Sequence, residues 1–292
     1  MADHEQNEVD SVTGVSTTGH KWDGISELNN PLPRWWLWIF YACIAFSIGY
    51  WVLYPSWPLL TRAAGGVFGW HAREAVVEDL DALRTKRAPM VAKLTGVPIA
   101  QVKDDAGLFD FTLAYGRAAF GDNCAPCHGP GGGGAKGYPN LIDDDWLWGG
   151  SIDAIQQTVS HGVRNENADS RQTDMPAFGK DGILSSAQIY EVAYYVRSLS
   201  GLEVPHDADF AAGRTIFDEN CVVCHGQDAK GNREFGAPNL TDAVWLYGSD
   251  LKDVVYTVTN ARNGSMPDWG ARLDPTTIKA LAVYVHSLGG GE

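Results

Sequence analysis

The segment NCAPCHG, residues 123–129, contains the pattern Cys-x-x-Cys-His, and the same pattern returns as CVVCH at residues 221–225. Four of the five cysteines in the chain lie in these two segments. A Cys-x-x-Cys pair is typical of a redox dithiol, of half a zinc site or of a haem attachment site. Only haem attachment also uses the histidine: the two thiols form thioethers with the haem vinyl groups, and the imidazole binds the iron.

Zinc and disulfide interpretations remain as alternatives. A four-ligand zinc site formed by both cysteine pairs would leave the two adjacent histidines redundant. Because the pattern occurs at corresponding places of an internal repeat, we favour haem. We predict two covalently bound haem c groups, attached through Cys124 and Cys127 and through Cys221 and Cys224.

The repeat relates residues 108–201 to residues 206–290. Two copies are too few for a solenoid, so we predict tandem domains over 108–203 and 204–292. The matched residues are Gly116 and Gly213, Pro139-Asn140-Leu141 and Pro238-Asn239-Leu240, Trp146 and Trp245, Met175-Pro176 and Met266-Pro267, and Tyr195-Val196 and Tyr284-Val285.

Each copy shows three helical segments and no convincing alternating strand, so the predicted fold is all-α. The last segment of each copy has apolar residues at helical spacing. The predicted helices cover 111–122, 152–161 and 186–199 in the first copy, and 209–220, 250–259 and 275–288 in the second. The apolar positions are Ile189, Val192, Ala193 and Val196, and Ile278, Leu281, Ala282 and Val285.

Each iron needs a second axial ligand besides His128 or His225. Met175 and Met266 occupy corresponding Met-Pro loops, and thioether sulfur is a known haem ligand that raises the reduction potential. Core filling is the alternative role for a methionine. His161 is the main rival to Met175, but the second copy has asparagine at its position.

Groups around the ligands are expected to orient them. The carbonyls of Pro139 and Pro238, which open the two PNL segments, are placed to accept a hydrogen bond from the Nδ1 of each ligand histidine. Trp146 and Trp245 either pack on haem edges or fill the core, and the sequence leaves both roles open.

Residues 35–54 form a run of 20 residues without a charge, which is long enough to cross a bilayer as a helix. Tryptophan and tyrosine lie at both ends of the run, as in membrane-interface belts. A cleaved signal peptide is the alternative, but the run is too long and lies too far from residue 1. We predict a segment over 1–34, a transmembrane anchor over 35–57, and a linker over 58–107 that contains a helix near 71–95.

The formal net charge of −14 argues against a nucleic-acid partner, since phosphate binding requires clustered Lys and Arg. An acidic exterior suits a basic soluble partner, and it equally serves solubility. The fifth cysteine, Cys43, lies in the apolar run, where packing is its expected role.

Each copy resembles a class I c-type cytochrome domain, and the whole chain resembles subunit III (CcoP/FixP) of cbb3-type cytochrome c oxidases. The resemblance covers the chain from about residue 20 onward. The stretches that carry it are HKWDGISELNNPLPRWW (20–36), YPSWPLL (54–60), GYPNLIDDDWLWGG (137–150) and the terminal YVxSL of each copy.

The resemblance implies one N-terminal anchor in the bacterial inner membrane. Because covalent haem attachment in bacteria occurs outside the cytoplasmic membrane, we expect residues 1–34 in the cytoplasm and the haem domains in the periplasm. Electrons would come from a donor cytochrome c and pass to the monohaem subunit. They would then reach the haem–copper subunit that reduces O₂ and pumps protons, so this chain would have no O₂-reducing centre of its own.

The resemblance also implies crossed axial ligation, which would pair His128 with Met266 and His225 with Met175. Pairing within each copy stays open at this point. Two other functions remain as alternatives: an anchored dihaem shuttle for other periplasmic reductases, and a dihaem peroxidase, which needs one iron with an open ligand position.

Overall fold

The computed structural model describes residues 8–61 and 63–291, which divide into an N-terminal body, up to residue 86, and a C-terminal body, from residue 87 onward. The helix α2 passes from one to the other. The elements that begin in the N-terminal body are β1 (Thr17–Trp22), β2 (Ile25–Leu28), α1 (Arg34–Leu53) and α2 (Ala72–Gly96).

β1 and β2 form an antiparallel hairpin that the sequence analysis did not predict. Asp23 and Gly24 connect the strands with φ angles of 52° and 85°, as a tight I′ turn requires. The signal was available, because an Asp-Gly dipeptide is a strong indicator of such a turn. The helix-rich class is confirmed, with this hairpin as the one sheet among the described residues.

α1 occupies the predicted membrane-spanning run. It has 20 residues, and none of them is buried within the protein. By length and composition, it is the one helix of the described residues that is able to cross a membrane. The helix ends at Leu53, directly before Tyr54 and Pro55, and a residue that precedes proline is disfavoured in the helical region.

From residue 99 onward, the described part of the C-terminal body contains one 3₁₀ helix, six longer helices and two short helical turns, and each predicted helix of the two copies is present. Helices α6 and α10 are capped at their N-termini by Ser185 and Asp274, whose side chains accept hydrogen bonds from backbone N–H groups of the first turn. The elements are a 3₁₀ helix (Ile99–Asp104), α3 (Ala106–Asn123), α4 (Ala125–His128), α5 (Ile152–His161), α6 (Ser186–Leu199), α7 (Phe210–Asn220), α8 (Val222–His225), α9 (Leu251–Asn260) and α10 (Pro275–His286).

The two sequence copies exchange their last helices. α10 of the second copy packs against α3 and α5 of the first copy, and α6 of the first copy packs against α7 and α9 of the second. We call α3, α4, α5 and α10 the α3–α10 module, and α6, α7, α8 and α9 the α6–α7 module. Each module therefore combines helices from both copies.

A glycine makes the close helix crossing of each module possible. At Gly116 of α3, a Cβ atom would lie 2.3 Å from the carbonyl oxygen of Ala280 in α10. At Gly213 of α7, a Cβ atom would lie 2.4 Å from the carbonyl oxygen of Glu191 in α6. The glycine at this position of the repeat thus permits the same close crossing in both modules. In each module the two crossing helices come from different copies.

Each module has its own apolar core, and the predicted apolar faces of α6 and α10 are confirmed as buried. The core of the α3–α10 module consists of Ala119, Phe120, Ile155, Val159, Ile278, Leu281, Ala282 and Val285. The core of the α6–α7 module consists of Phe178, Leu184, Ile189, Val192, Ala193, Val196, Ile216, Phe217, Ala229, Val254 and Val258.

Candidate haem sites

The first Cys-x-x-Cys-His motif is a continuation of α3. The amide of Cys124 donates to the carbonyl of Phe120 at 2.8 Å, and the amide of His128 donates to the carbonyl of Cys124 at 2.9 Å. The corresponding hydrogen bonds around Cys221 and His225 have the same lengths. Helical geometry therefore fixes how the two cysteines and the histidine of each motif are placed relative to one another.

The imidazole of each motif histidine is held by a proline carbonyl. His128 Nδ1 lies 3.0 Å from the carbonyl oxygen of Pro139, and His225 Nδ1 lies 3.0 Å from that of Pro238. Because a carbonyl oxygen only accepts, Nδ1 carries the proton and Nε2 keeps its lone pair for a metal. Burial lowers the pKa of His225, which favours the neutral ring that metal binding requires.

A tight glycine turn brings each proline back to its histidine. The amide of Gly134 donates to the carbonyl of His128, and that of Gly231 donates to the carbonyl of His225, both at 2.8 Å. Both glycines have positive φ angles, 67° and 83°, and a Cβ at either would lie within 2.5 Å of a backbone oxygen. The glycine-rich loops after the motifs are therefore part of the device that orients the imidazoles.

The helix exchange places each methionine with the motif of the other copy. Met266 packs against the core of the α3–α10 module, as Cys124 does. Met175 packs against the core of the α6–α7 module, as Cys221 does. The structure thus brings a thioether into each module, although the methionine and the cysteines come from different copies.

The two methionine loops are also tied to the opposite copy through their backbones. Met266 and Val163 exchange two backbone hydrogen bonds of 2.8 and 3.0 Å. The amide of Met175 donates to Asn263 Oδ1 at 3.0 Å, and the side-chain nitrogen of Asn263 donates to the carbonyl of Met175 at 3.1 Å. These contacts fix the position of both loops at the junction of the copies.

The remaining candidates from the sequence, His161, Trp146 and Trp245, lie outside the Cys-x-x-Cys-His motifs and the Met-Pro loops. His161 lies at the end of α5, with Nδ1 4.0 Å from a carboxylate oxygen of Asp169. Trp146 packs against the core of the α3–α10 module, and Trp245 packs against the core of the α6–α7 module.

The chemistry of the cysteines differs from that of a redox dithiol. Burial, with a smaller contribution from the partner thiols, raises the pKa of Cys124 and of Cys221 to about 11. A redox-active cysteine has a lowered pKa, because the thiolate is the reactive form. None of the four motif cysteines forms a disulfide.

The side chains in each module fit haem c better than zinc. The two cysteine pairs lie in different modules, and residues 8–61 and 63–291 contain no cluster of three or more His, Cys, Asp or Glu side chains able to hold a metal ion. Each module instead supplies two thiols, one imidazole with Nε2 available, and a soft thioether sulfur. This donor set is the one that six-coordinate haem c requires.

Three family models match the chain in succession. The model for the N-terminal domain of cytochrome oxidase-cbb3, FixP, matches residues 14–61. The cytochrome c model matches residues 113–200. The model for cytochrome c oxidase, cbb3-type, subunit III, matches residues 208–285. The two cytochrome c segments imply haem c binding, and their number fits a count of two.

Similar curated proteins match over almost their whole length. A cbb3-type cytochrome c oxidase subunit FixP from Bradyrhizobium sp. (strain ORS 278) is 56% identical over 292 residues, which is 100% of both chains. A subunit of the same name from Azorhizobium caulinodans is 57% identical and covers 97% of this chain and 96% of its own. A cbb3-type cytochrome c oxidase subunit CcoP from Cereibacter sphaeroides is 51% identical and covers 94% and 95%.

Proposed function

Because the chain belongs to the FixP/CcoP family of cbb3-type cytochrome c oxidase subunits, we propose that it carries electrons from a donor cytochrome c into such an oxidase. The receiving partners are the monohaem cytochrome c subunit and then the haem–copper subunit, which reduces O₂ and pumps protons. A bound haem c supplies a one-electron iron couple, and the protein supplies its attachment, its axial ligands and its orientation.

Cysteines of both modules attach the two haem groups. Cys124 and Cys127 form the thioethers in the α3–α10 module, and Cys221 and Cys224 form those in the α6–α7 module. The helical geometry of each motif supports this assignment, because it aligns two thiols and one imidazole along a single turn.

The axial ligands are crossed between the copies. His128 and Met266 serve the α3–α10 module, and His225 and Met175 serve the α6–α7 module. The packing of each methionine with the cysteine of the other copy supports this pairing, and it is the single observation that carries the proposal. Histidine–methionine ligation gives a higher reduction potential than two histidines would, which suits an acceptor of electrons from a soluble cytochrome.

The proline carbonyls hold the ligand histidines in one orientation. Pro139 and Pro238 keep the proton on Nδ1 of His128 and His225, which leaves Nε2 of each ring as the nitrogen that would bind the haem iron. His128 with Met266, and His225 with Met175, would hold the two haem irons, and iron held by two side chains would have no open position for O₂ or peroxide. The protein therefore transfers electrons, and O₂ reduction belongs to another subunit.

The proposed location is the bacterial inner membrane, with one span over 35–57 in contact with lipid. Residues 1–34 lie in the cytoplasm, and the two cytochrome repeats, 108–203 and 204–292, lie in the periplasm, connected to the anchor by 58–107. Covalent haem attachment outside the cytoplasmic membrane supports this orientation, and the exposed apolar surface of α1 supports the location in a membrane.

Single-haem variants test the crossed ligation. In a chain with Cys124→Ala and Cys127→Ala, only the haem of the α6–α7 module remains. Met175→Leu in that chain should abolish the sulfur-to-iron charge-transfer band of the oxidised protein and lower the potential of the remaining haem. Met266→Leu in the same chain is the matched control and should leave the band in place.

Pairing within the copies would give the opposite result, with Met266→Leu removing the band. A band that survives both substitutions would rule out methionine ligation of this haem.

Purification in mild detergent tests the assignment to an oxidase. We expect the chain to co-purify with haem b and copper, and to carry two covalent haems in a pyridine haemochrome assay. Isolation without haem b and copper would favour a shuttle for other reductases. Rapid peroxide turnover by the isolated chain would favour a peroxidase.

A further inference from the structure

A glycine and an aromatic residue at matched positions of the repeat meet across the boundary between the modules. A Cβ atom at Gly236, between α8 and α9, would lie 2.2 Å from a ring carbon of Trp148, which lies between α4 and α5. A Cβ atom at Gly137, between α4 and α5, would lie 3.5 Å from a ring carbon of Tyr247, between α8 and α9. Each aromatic ring therefore packs on a glycine turn that belongs to the other module.

The two glycine turns are also the turns that carry the proline carbonyls. Gly137 lies two residues before Pro139, and Gly236 lies two residues before Pro238. The residue between glycine and proline exchanges two backbone hydrogen bonds within its turn, of 2.7 and 3.0 Å in the first copy and both of 3.0 Å in the second. A displacement of the glycine is therefore transmitted to the proline carbonyl, because a hydrogen-bonded turn in a closely packed protein has little freedom to deform.

Positive charges hold both aromatic rings in place. The guanidinium carbon of Arg171 lies 5.2 Å from the centre of the Trp148 ring, and that of Arg164 lies 5.7 Å from it. The guanidinium carbon of Arg262 lies 5.2 Å from the centre of the Tyr247 ring. These distances are within the range of cation–π attraction, so each ring is restrained on its own module while it contacts the other.

The turn of the first copy has two further contacts with the α6–α7 module. The amide of Gly137 donates to the carbonyl of Leu246 at 2.7 Å. The amine of Lys136 lies 2.7 Å from a carboxylate oxygen of Asp253, which belongs to α9 and has a side chain that is 12% exposed. A backbone hydrogen bond, a ring contact and an ion pair therefore fix this turn on the opposite module.

We propose that Trp148 and Tyr247 are positioning residues, each of which orients the ligand histidine of the other module. Trp148 supports the turn that holds His225, and Tyr247 supports the turn that holds His128. The proposal rests on the proposed function, since the two histidines are assigned there as iron ligands. Each haem site then depends on a side chain of the module that holds the other haem.

The hydrogen bond from Nδ1–H to the proline carbonyl controls two properties of the imidazole. It fixes the plane of the ring, and it raises the basicity of Nε2, the nitrogen that would bind the iron. A less basic nitrogen stabilises oxidised iron less. Loss of the aromatic support should therefore loosen this hydrogen bond and raise the reduction potential of the haem in the opposite module.

The test uses the full chain with both haems bound. Trp148→Leu removes the ring and keeps an apolar side chain. We expect the paramagnetic NMR shifts of the haem methyl groups, which report the plane of the axial imidazole, to change in the α6–α7 module and not in the α3–α10 module. The ratio of reduced to oxidised haem in the α6–α7 module should rise roughly threefold at a fixed applied potential. Chains that lack one cysteine pair assign the methyl resonances to the modules.

Tyr247→Leu is the reciprocal test and should change the haem methyl shifts of the α3–α10 module alone. Tyr247→Phe keeps the ring, so it should leave both sets of shifts in place. Tyr256→Leu is the control for the loss of a cation–π contact, because the Tyr256 ring of α9 lies 4.6 Å from the guanidinium carbon of Arg262. It should also leave both sets of shifts in place.

Lys136→Gln tests the same turn through an exposed side chain, so the test remains valid if an aromatic substitution prevents folding. The side chain of Lys136 is 58% exposed, and its loss removes the ion pair with Asp253. We expect the methyl shifts of the α3–α10 module to move in the direction that Tyr247→Leu produces, by a smaller amount, because the ring contact remains.

Shifts that change only in the module of the substituted aromatic, equally in both modules, or in neither, would overturn the inference. A lower unfolding temperature with unchanged shifts would likewise overturn it, because the rings would then have only a structural role. With two covalent haems per chain, the proposed function would stand in these cases. Fewer than two covalent haems in the unsubstituted chain would instead contradict the proposed function.

Discussion

The α3–α10 and α6–α7 modules share one backbone design and differ in their charges. Both have a glycine at the helix crossing and a 3.0 Å contact from a histidine to a proline carbonyl. The charged positions differ: Asp145 of the first copy corresponds to Val244 of the second, and Arg197 corresponds to His286. The comparison teaches that a duplicated backbone frame can be kept while the charged side chains around it change.

The largest change would come from removing the cysteines of one module. Cys221→Ala with Cys224→Ala should leave one covalent haem, as measured by haem stain on a denaturing gel. Because α6 packs in the same module as these cysteines, hydrogen exchange should become faster in α6 than in α10. Faster exchange in α6 would show that loss of these cysteines destabilises the helices of one module and not the helices of one sequence copy.

The reciprocal variant, Cys124→Ala with Cys127→Ala, is the control and should reverse the pattern, with faster exchange in α10. Exchange that increases in α10 after the loss of Cys221 and Cys224 would contradict the helix exchange. Two remaining covalent haems in either variant would contradict the attachment sites.

Substituting the crossing glycines tests whether the two modules are built alike. Gly116→Ala and Gly213→Ala each place a Cβ within 2.4 Å of a carbonyl oxygen of the facing helix. We expect each to destabilise the protein by about 1–3 kcal/mol, the usual cost of overpacking. Thermal unfolding followed by far-ultraviolet dichroism measures the effect.

Gly121→Ala is the matched control, because this glycine also lies in α3 and has no atom within 4 Å of its Cβ position. It should be neutral or stabilise by up to about 1 kcal/mol through helix propensity. A Gly116→Ala variant as stable as the control would show that the crossing is looser than described.

The smallest effect concerns a charge that only the first copy has. Burial, followed by repulsion from Asp242 and Asp143, raises the pKa of Asp145 to about 6. The folded state therefore holds this proton more tightly than the unfolded state, and stability falls as pH rises from about 4 to about 6. Asp145→Asn should stabilise the protein at pH 7 by about 1 kcal/mol, allowing for the partial exposure of the group.

The gain from Asp145→Asn should vanish below pH 4, where the carboxyl is protonated in both states. Unfolding temperatures between pH 4 and pH 8 measure this dependence. Asp144→Asn removes the same charge from an exposed position and should have little effect. An equal gain from both substitutions would indicate that net charge, and not burial of Asp145, is responsible.

The sequence was sufficient to predict the helices, but it did not reveal which helices pack together. Helical spacing of apolar residues predicted the buried faces of α6 and α10, such as Ile189 and Leu281. The apolar positions of the two faces are nearly the same residue types, and the matching glycines Gly116 and Gly213 indicate no preferred partner. Partner choice depends on contacts distant in sequence, such as Met266 with Val163, and no local pattern records such contacts.

Other features left different signals in the sequence. The haem motif and the PNL segments repeat, so the carbonyl above each imidazole was foreseeable from Pro139 and Pro238. The unpaired N–H groups of Arg197 and Trp245 were not foreseeable from the sequence. Trp146 occupies the position that matches Trp245, and its indole N–H does have an acceptor. The N-terminal hairpin was missed although Asp23-Gly24 signals its turn.

The helix exchange has a consequence for the order of synthesis. The ribosome produces the first haem motif early and α10, the helix that closes its module, last. A chain that terminates before Pro275 would therefore leave its first motif without a partner helix and keep the second module complete. Either sequence copy by itself would lack the helix that closes its module in this structure.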